Sequence, residues 1–131
     1  MPVHNQLHVR HFIADTAPAQ LLDYEPVWQA MKEFTRTRTD ATADELWLLE
    51  HAQVFTLGKA ADEAHVLDAG DIPTVRVDRG GQVTYHGPGQ IMAYALINLS
   101  RRSLGVRALV ECLEKTVIDV LANYGVEAYG D

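Results

Sequence analysis

The chain is 131 residues long, 47% hydrophobic and 22% charged, with a formal net charge of −7. That suits one domain or part of one and excludes disorder, and the acidic balance argues against a general nucleic-acid binder. No apolar run reaches the roughly 18 residues of a membrane span, MPVHNQLHVRH lacks the apolar core of a secretory signal, and a single cysteine, Cys112, excludes an internal disulfide, so a soluble cytoplasmic protein with no membrane partner is expected.

In chain order, LHVRHFI (7–13) has a short strand-like pattern. Asp23 is placed to cap a helix, with Pro26 in the first turn, where proline is tolerated. Tyr24, Val27, Trp28, Met31 and Phe34 recur at three- and four-residue spacing and give that helix one apolar stripe. The polar run TRTRTDATAD (35–44) reads as a loop. ELWLLEH (45–51) and VFTLG (54–58) read as strands, and residues 59–73 as an irregular connection. TVRVD (74–78) alternates as a strand does, and GQVTYHG is expected to pair with it. IMAYALINL (91–99) is nearly continuous in apolar residues, the pattern of a strand buried on both faces. Val106, Leu109, Val110, Leu113, Val117, Val120, Leu121 and Tyr124 form a helical stripe, with Gly125 in the place of a C-terminal cap. So wide an apolar face implies a sheet to cover. Val126 to Tyr129 reads as the start of a further strand. The order predicts an α+β domain, a mixed or antiparallel sheet with flanking helices.

One segment breaks its own pattern. RGGQVTYHGPGQIMAY (79–94) alternates like a strand yet holds four glycines, a proline and a histidine, and both glycine and proline weaken strands. A tight hairpin whose glycines only serve the turn is one reading. The other is a backbone that must lie close to a ligand, with Gly80 and Gly81 opening conformations closed to other residues. On a strand Thr84 and His86 share a side and Tyr85 faces the other. Gly87-Pro88-Gly89 then fixes where the His86 imidazole points, Arg79 is placed for an anionic or carbonyl group, and Tyr94 for a pocket wall. Neither the P-loop spacing nor the dinucleotide spacing of glycines is present. Arg101, Arg102 and Arg107 form a local basic cluster suited to an acidic partner, or else a solvated surface.

The same segment resembles the signature of the lipoate-protein ligase B family, the lipoyl(octanoyl) transferases. That signature is Arg-Gly-Gly, two variable residues, Thr, an aromatic, His, Gly-Pro-Gly-Gln and a later Tyr. Here Arg79, Gly80, Gly81, Thr84, Tyr85, His86, Gly87, Pro88, Gly89, Gln90 and Tyr94 fill it, with Gln82 and Val83 at the variable positions. LLEHAQVFTLGKAADEAHVL resembles a second family segment around Glu50, His51, Val54, Thr56 and Gly58, and the helix bearing Tyr24 and the run NLSRRSLGVRALVECLE are similar too. The resemblance implies the fold of the biotin and lipoate protein ligases, and transfer of octanoyl from acyl carrier protein to a lysine of lipoyl domains, those of 2-oxoacid dehydrogenases and the glycine cleavage H protein. It implies no cofactor. It assigns the acyl-binding site to Arg79, Gly80, Gly81, Gln82, Val83, Thr84, Tyr85 and His86, with Tyr94, Tyr24 and His51.

The family's acyl-carrying cysteine and its activating lysine belong to later segments that do not occur within residues 1–131. Cys112 lies on a helix flank beside Glu111 and Glu114, the wrong charges to favour a thiolate, and Lys115 is expected to pair with Glu111. Residues 1–131 are therefore expected to be the N-terminal part of one such domain, inactive alone and prone to self-association through uncovered apolar surface. The alternatives are an ATP-dependent lipoate or biotin ligase and a truncated, non-catalytic paralogue. No metal site is expected: His8 and His11 fall on opposite sides of a strand, His4 precedes them, and neither His51 nor His65 has zinc-ligand spacing to a cysteine.

Overall fold

A computed structural model describes residues 6–13, 20–62, 64, 66 and 68–130. Strand β1 (Leu7–His11) is followed by the two-residue β2 (Leu21–Leu22), helix α1 (Tyr24–Thr37), β3 (Asp44–His51) and β4 (Val54–Leu57). Then come β5 (Thr74–Arg76), β6 (Val83–His86), β7 (Met92–Leu96) and α2 (Val106–Asn123). The chain is α+β, as the pattern of elements predicts.

Strand β3 is the axis of the first sheet. It pairs parallel with β1 on one side and antiparallel with β7 on the other, and its far end pairs parallel with β2. Its side chains alternate, so that Trp47 and Leu49 turn inward and join Leu96 in the core. Helix α1 lays Val27, Met31 and Phe34 on that core at i, i+4 and i+7. The second sheet has the order β5-β4-β6, with β4 parallel to β5 and antiparallel to β6. Only Ala52 and Gln53 separate β3 from β4, so the two sheets meet at the end of β3.

Several expectations are corrected. β6 pairs with β4 and not with the 74–78 strand, because β4 occupies the centre of that sheet. β7 is shorter than 91–99, and of its residues only Leu96 is buried, since β3 covers one edge and one face stays open. α1 runs on to Thr37, into the predicted loop, and Asp23 sits at its N-cap without a side-chain capping bond. Residues 126–130 form no strand. α2 ends as expected, with Gly125 at φ +74, but buries none of its residues: Val106 is 68% exposed and Val117 58%. His4 and His65 lie outside the described residues.

The basic cluster is also corrected. Asp44 is fully buried at the start of β3, and its carboxylate receives Arg38 Nη2 at 2.7 Å, Arg101 Nη2 at 2.8 Å, Arg102 Nε at 2.5 Å and the Asn98 amide at 2.8 Å. Arg101 is further held by the carbonyls of Asp40 and Thr42. Arg101 and Arg102 therefore serve the interior and not a partner. Arg107 pairs with Glu111, and Lys115 pairs with Asp119, not with Glu111. Burial opposes ionisation of Asp44, but the bonds from Arg102, the Asn98 amide and Arg38, with the charge of Arg101, outweigh it and hold its pKa at about 2.

Removing that charge leaves three guanidinium groups around a neutral side chain. Asp44→Asn should cost about 3–5 kcal/mol in urea denaturation at pH 7. The carboxyl is harder to protonate folded than unfolded, so its stabilising effect is complete above about pH 4 and is lost as pH falls through about 2. The gap between wild type and Asp44→Asn should accordingly narrow below pH 4.

Candidate functional site

The other end of β3 carries the second buried polar group. His51 is fully buried, and both ring nitrogens have partners: Nδ1 lies 2.9 Å from the Leu22 carbonyl and Nε2 lies 2.7 Å from the Tyr94 hydroxyl. A carbonyl only accepts, so Nδ1 carries the hydrogen and Nε2 accepts from Tyr94. Burial lowers the His51 pKa; its bond to Leu22 opposes that shift, and His86 adds to it. Burial likewise raises the Tyr94 pKa, with Tyr24 adding to the shift.

Around His51 the rings of four elements meet. Tyr24, from the first turn of α1, lies 5.1 Å from His51 and stacks on His86 at 5.8 Å with 9° between the planes. His51 and His86 are 6.1 Å apart, and His51 and Tyr94 5.8 Å. Burial raises the Tyr24 pKa, Arg79 opposes that and Asp78 reinforces it, which places the phenol in the field of both charges.

His86 closes β6 opposite Val54 of β4. Its Nδ1 lies 3.0 Å from Gln90 Oε1, beyond the Gly-Pro-Gly turn, and its Nε2 3.4 Å from Thr56 Oγ1. The turn itself is tied to β3 by the Gly89 amide, which donates to Glu50 at 3.0 Å. Arg79 Nη2 donates to Thr56 Oγ1 at 2.8 Å, to the Thr56 carbonyl at 3.1 Å and to Thr84 Oγ1 at 3.0 Å, and Nη1 donates to Gly80 O. The guanidinium is thus fastened across β4 and β6.

Of the residues expected from sequence, Arg79, Thr84, His86, Tyr24, His51 and Tyr94 come together. Gly80 and Gly81 lie in the turn before β6, not on a strand. Gly81 has φ +89, a conformation that suits glycine. Gln82 accepts the Gly58 amide through its carbonyl, and Val83 pairs with Leu57. Tyr85 faces the other side of β6, against Phe55 and Gln53, outside the ring cluster. Cys112 is exposed on α2.

Sequence reading gave no site role to Thr56, Gln90 or Gly58. A Cβ on Gly58 would overlap the Gly81 carbonyl and come within 2.7 Å of the Gly80 carbonyl and 2.9 Å of Arg79 Nη1, so this glycine lets the 79–81 turn close over β4. Nothing local marks that requirement, since the approaching backbone is distant in sequence. Among the described residues no group of three or more His, Cys, Asp or Glu is placed to hold a metal, and no helix is long and apolar enough to cross a membrane.

The profile of the lipoyl protein ligase A/B catalytic domain matches residues 23–131. An octanoyltransferase of Methylococcus capsulatus is 64% identical over 106 residues, which are 81% of this chain and 51% of that protein. One from Laribacter hongkongensis is 52% identical over 125 residues, 95% of this chain and 57% of that protein. One from Escherichia coli is 60% identical over 109 residues, 83% of this chain and 51% of that protein. The chain spans about half the length of the curated relatives it matches.

Tyr94→Phe leaves a buried imidazole nitrogen without a donor and should cost about 1–3 kcal/mol in urea denaturation. Because the folded pKa of His51 is lowered, its neutral form stabilises the fold above about pH 6.5 and that contribution declines as pH falls below it. The ring protons of His51, followed by NMR, should titrate below pH 6.5. Gly58→Ala should cost about 1–3 kcal/mol by overpacking, with amide shifts concentrated at Arg79, Gly80 and Gly81.

Proposed function

The chain belongs to the lipoyl protein ligase A/B catalytic-domain family, and from that premise we propose that residues 1–131 are part of one octanoyltransferase domain and contribute its acyl-binding site. The reaction in this reading transfers octanoyl from acyl carrier protein to a lysine of a lipoyl domain, in 2-oxoacid dehydrogenases or the glycine cleavage H protein, in the cytoplasm. The observation that carries it is the meeting of Arg79, Thr84 and His86 with Tyr24, His51 and Tyr94, from positions far apart in the sequence. The names of the curated relatives favour acyl transfer over ATP-dependent ligation.

The site's parts suit an acyl group more than proton transfer. Both nitrogens of His51 and both of His86 face partners within the protein, which leaves neither imidazole free as an acid or base. What remains for a ligand is ring surface, the turn backbone at Gly80 and Gly81, and a fixed cation, Arg79. These bind and orient a carbonyl-bearing chain. An acyl thioester intermediate needs a thiolate near a cation. Cys112 is exposed on a helix between Arg107–Glu111 and Lys115–Asp119 ion pairs and does not meet that need.

The test is calorimetry with octanoate, together with intact mass after incubation with octanoyl-acyl carrier protein, for wild type, Arg79→Ala and Cys112→Ala. Octanoate should bind wild type and Cys112→Ala alike and Arg79→Ala at least about tenfold more weakly, as loss of a charged hydrogen bond implies. No covalent adduct should form on Cys112. An octanoyl adduct that disappears in Cys112→Ala, or tight ATP binding without octanoate binding, would contradict the proposal.

A further inference from the structure

Thr56 is a hydroxyl with no access to water, in the second of the two sheets, and no residue of the ring cluster adjoins it in sequence. Its exposure is 0%. A buried hydroxyl needs partners, and Thr56 has two of different kinds. Arg79 Nη2 lies 2.8 Å from its Oγ1, and His86 Nε2 lies 3.4 Å from the same atom. A guanidinium only donates, so the Thr56 oxygen accepts from Arg79 and its hydrogen is left for the imidazole. On the far side of that ring, Nδ1 faces the Gln90 amide oxygen, which only accepts. The hydrogens therefore run in one direction, from Arg79 to Thr56 to His86 to Gln90.

We infer that Thr56 is a positioning residue: its hydroxyl locks His86 as the Nδ1–H tautomer and fastens the Arg79 guanidinium beside it. Thr84 does not duplicate this. Its hydroxyl accepts from Arg79 at 3.0 Å, but the residue is exposed and water can replace it. Thr56 is the point where the cation and the imidazole share one atom. With the ring so fixed, its flat face is presented to Tyr24, which stacks on it at 9°. Bonds aligned in one direction polarise one another, so loss of the middle member weakens both neighbours.

Thr56→Val keeps the branched shape and removes only the hydroxyl, and Thr56→Ser restores it. The first readout is the 15N shifts of the His86 ring nitrogens above pH 8, which distinguish a protonated nitrogen from a bare one. Wild type and Thr56→Ser should have hydrogen on Nδ1 and a bare, hydrogen-bonded Nε2. Thr56→Val should move the Nε2 shift toward that of an unbonded nitrogen or mix the tautomers. Hydrogen on Nε2 in wild type overturns the inference without any variant, as do identical ring shifts in Thr56→Val and wild type. If Thr56→Val does not fold, Thr56→Ala replaces it with the same expectations.

The consequence for ligand binding rests on the acyl-site reading; the tautomer does not. Octanoate should bind Thr56→Val about tenfold more weakly than wild type and Thr56→Ser near wild type. Equal octanoate affinity in Thr56→Val and wild type overturns the positioning of Arg79. A wild-type chain that binds no octanoate defeats the acyl-site reading alone, and the ring shifts then decide the role of Thr56.

Discussion

A fully buried imidazole must find a partner for each nitrogen, and at His51 that demand organises the molecule. Nδ1 takes the Leu22 carbonyl and Nε2 the Tyr94 hydroxyl, so β2 and β7 are fixed to the end of β3. After two intervening residues the chain enters the second sheet, and β4 brings β6 and His86 within ring contact. Tyr24 fills the angle between the two imidazoles from the start of α1. An unpaired buried polar group costs about 1–3 kcal/mol, a large share of a small domain's stability. The site is therefore not an addition to the fold, because the contacts that form it also join the two sheets.

β3 has a charged counterpart at its other end. Asp44 gathers Arg38, Arg101 and Arg102 and so ties the end of α1 and the loop after β7 to the first sheet. Three cations around one carboxylate hold the carboxyl ionised, and they also withdraw Arg101 and Arg102 from the surface. That takes both residues out of the exposed basic patch that their closeness in sequence suggests. The two ends of β3 differ in kind: a charge cluster anchors one, and a cluster of hydrogen-bonded rings anchors the other.

The sequence made some of this legible and not the rest, for physical reasons. α1 and β3 were readable because apolar spacing reports directly on which face is buried, and the glycine-rich segment was readable because glycine and proline carry a cost that invites explanation. Strand pairing was not: β6 follows β5 in the chain, yet β4 lies between them, and local pattern says nothing about which edge a strand joins. Asp44 sits in a polar run that reads as solvated, and only the fold reveals that Arg101 and Arg102, 57 and 58 residues on, join Arg38 of the same run around it. Thr56 is marked in sequence only as a matched position of the second family segment, and its role shows when Arg79 and His86 arrive from a segment more than 20 residues away. α2 carried a clear amphipathic stripe, but amphipathicity states that a face is apolar, not that something covers it.

In the proposed function an octanoyl chain lies against the ring cluster and the 80–81 turn. Isotope-filtered NOEs between carbon-labelled octanoate and the chain test it most directly. Contacts are expected to the Tyr24 and His86 ring protons and to the α-protons of Gly80 and Gly81. The competing apolar surface is the cleft of about 500 Å³ lined by Leu113, Val117, Leu121 and Tyr129. Contacts confined to that cleft, with none at Tyr24, His86 or Gly81, would contradict this placement of the acyl chain.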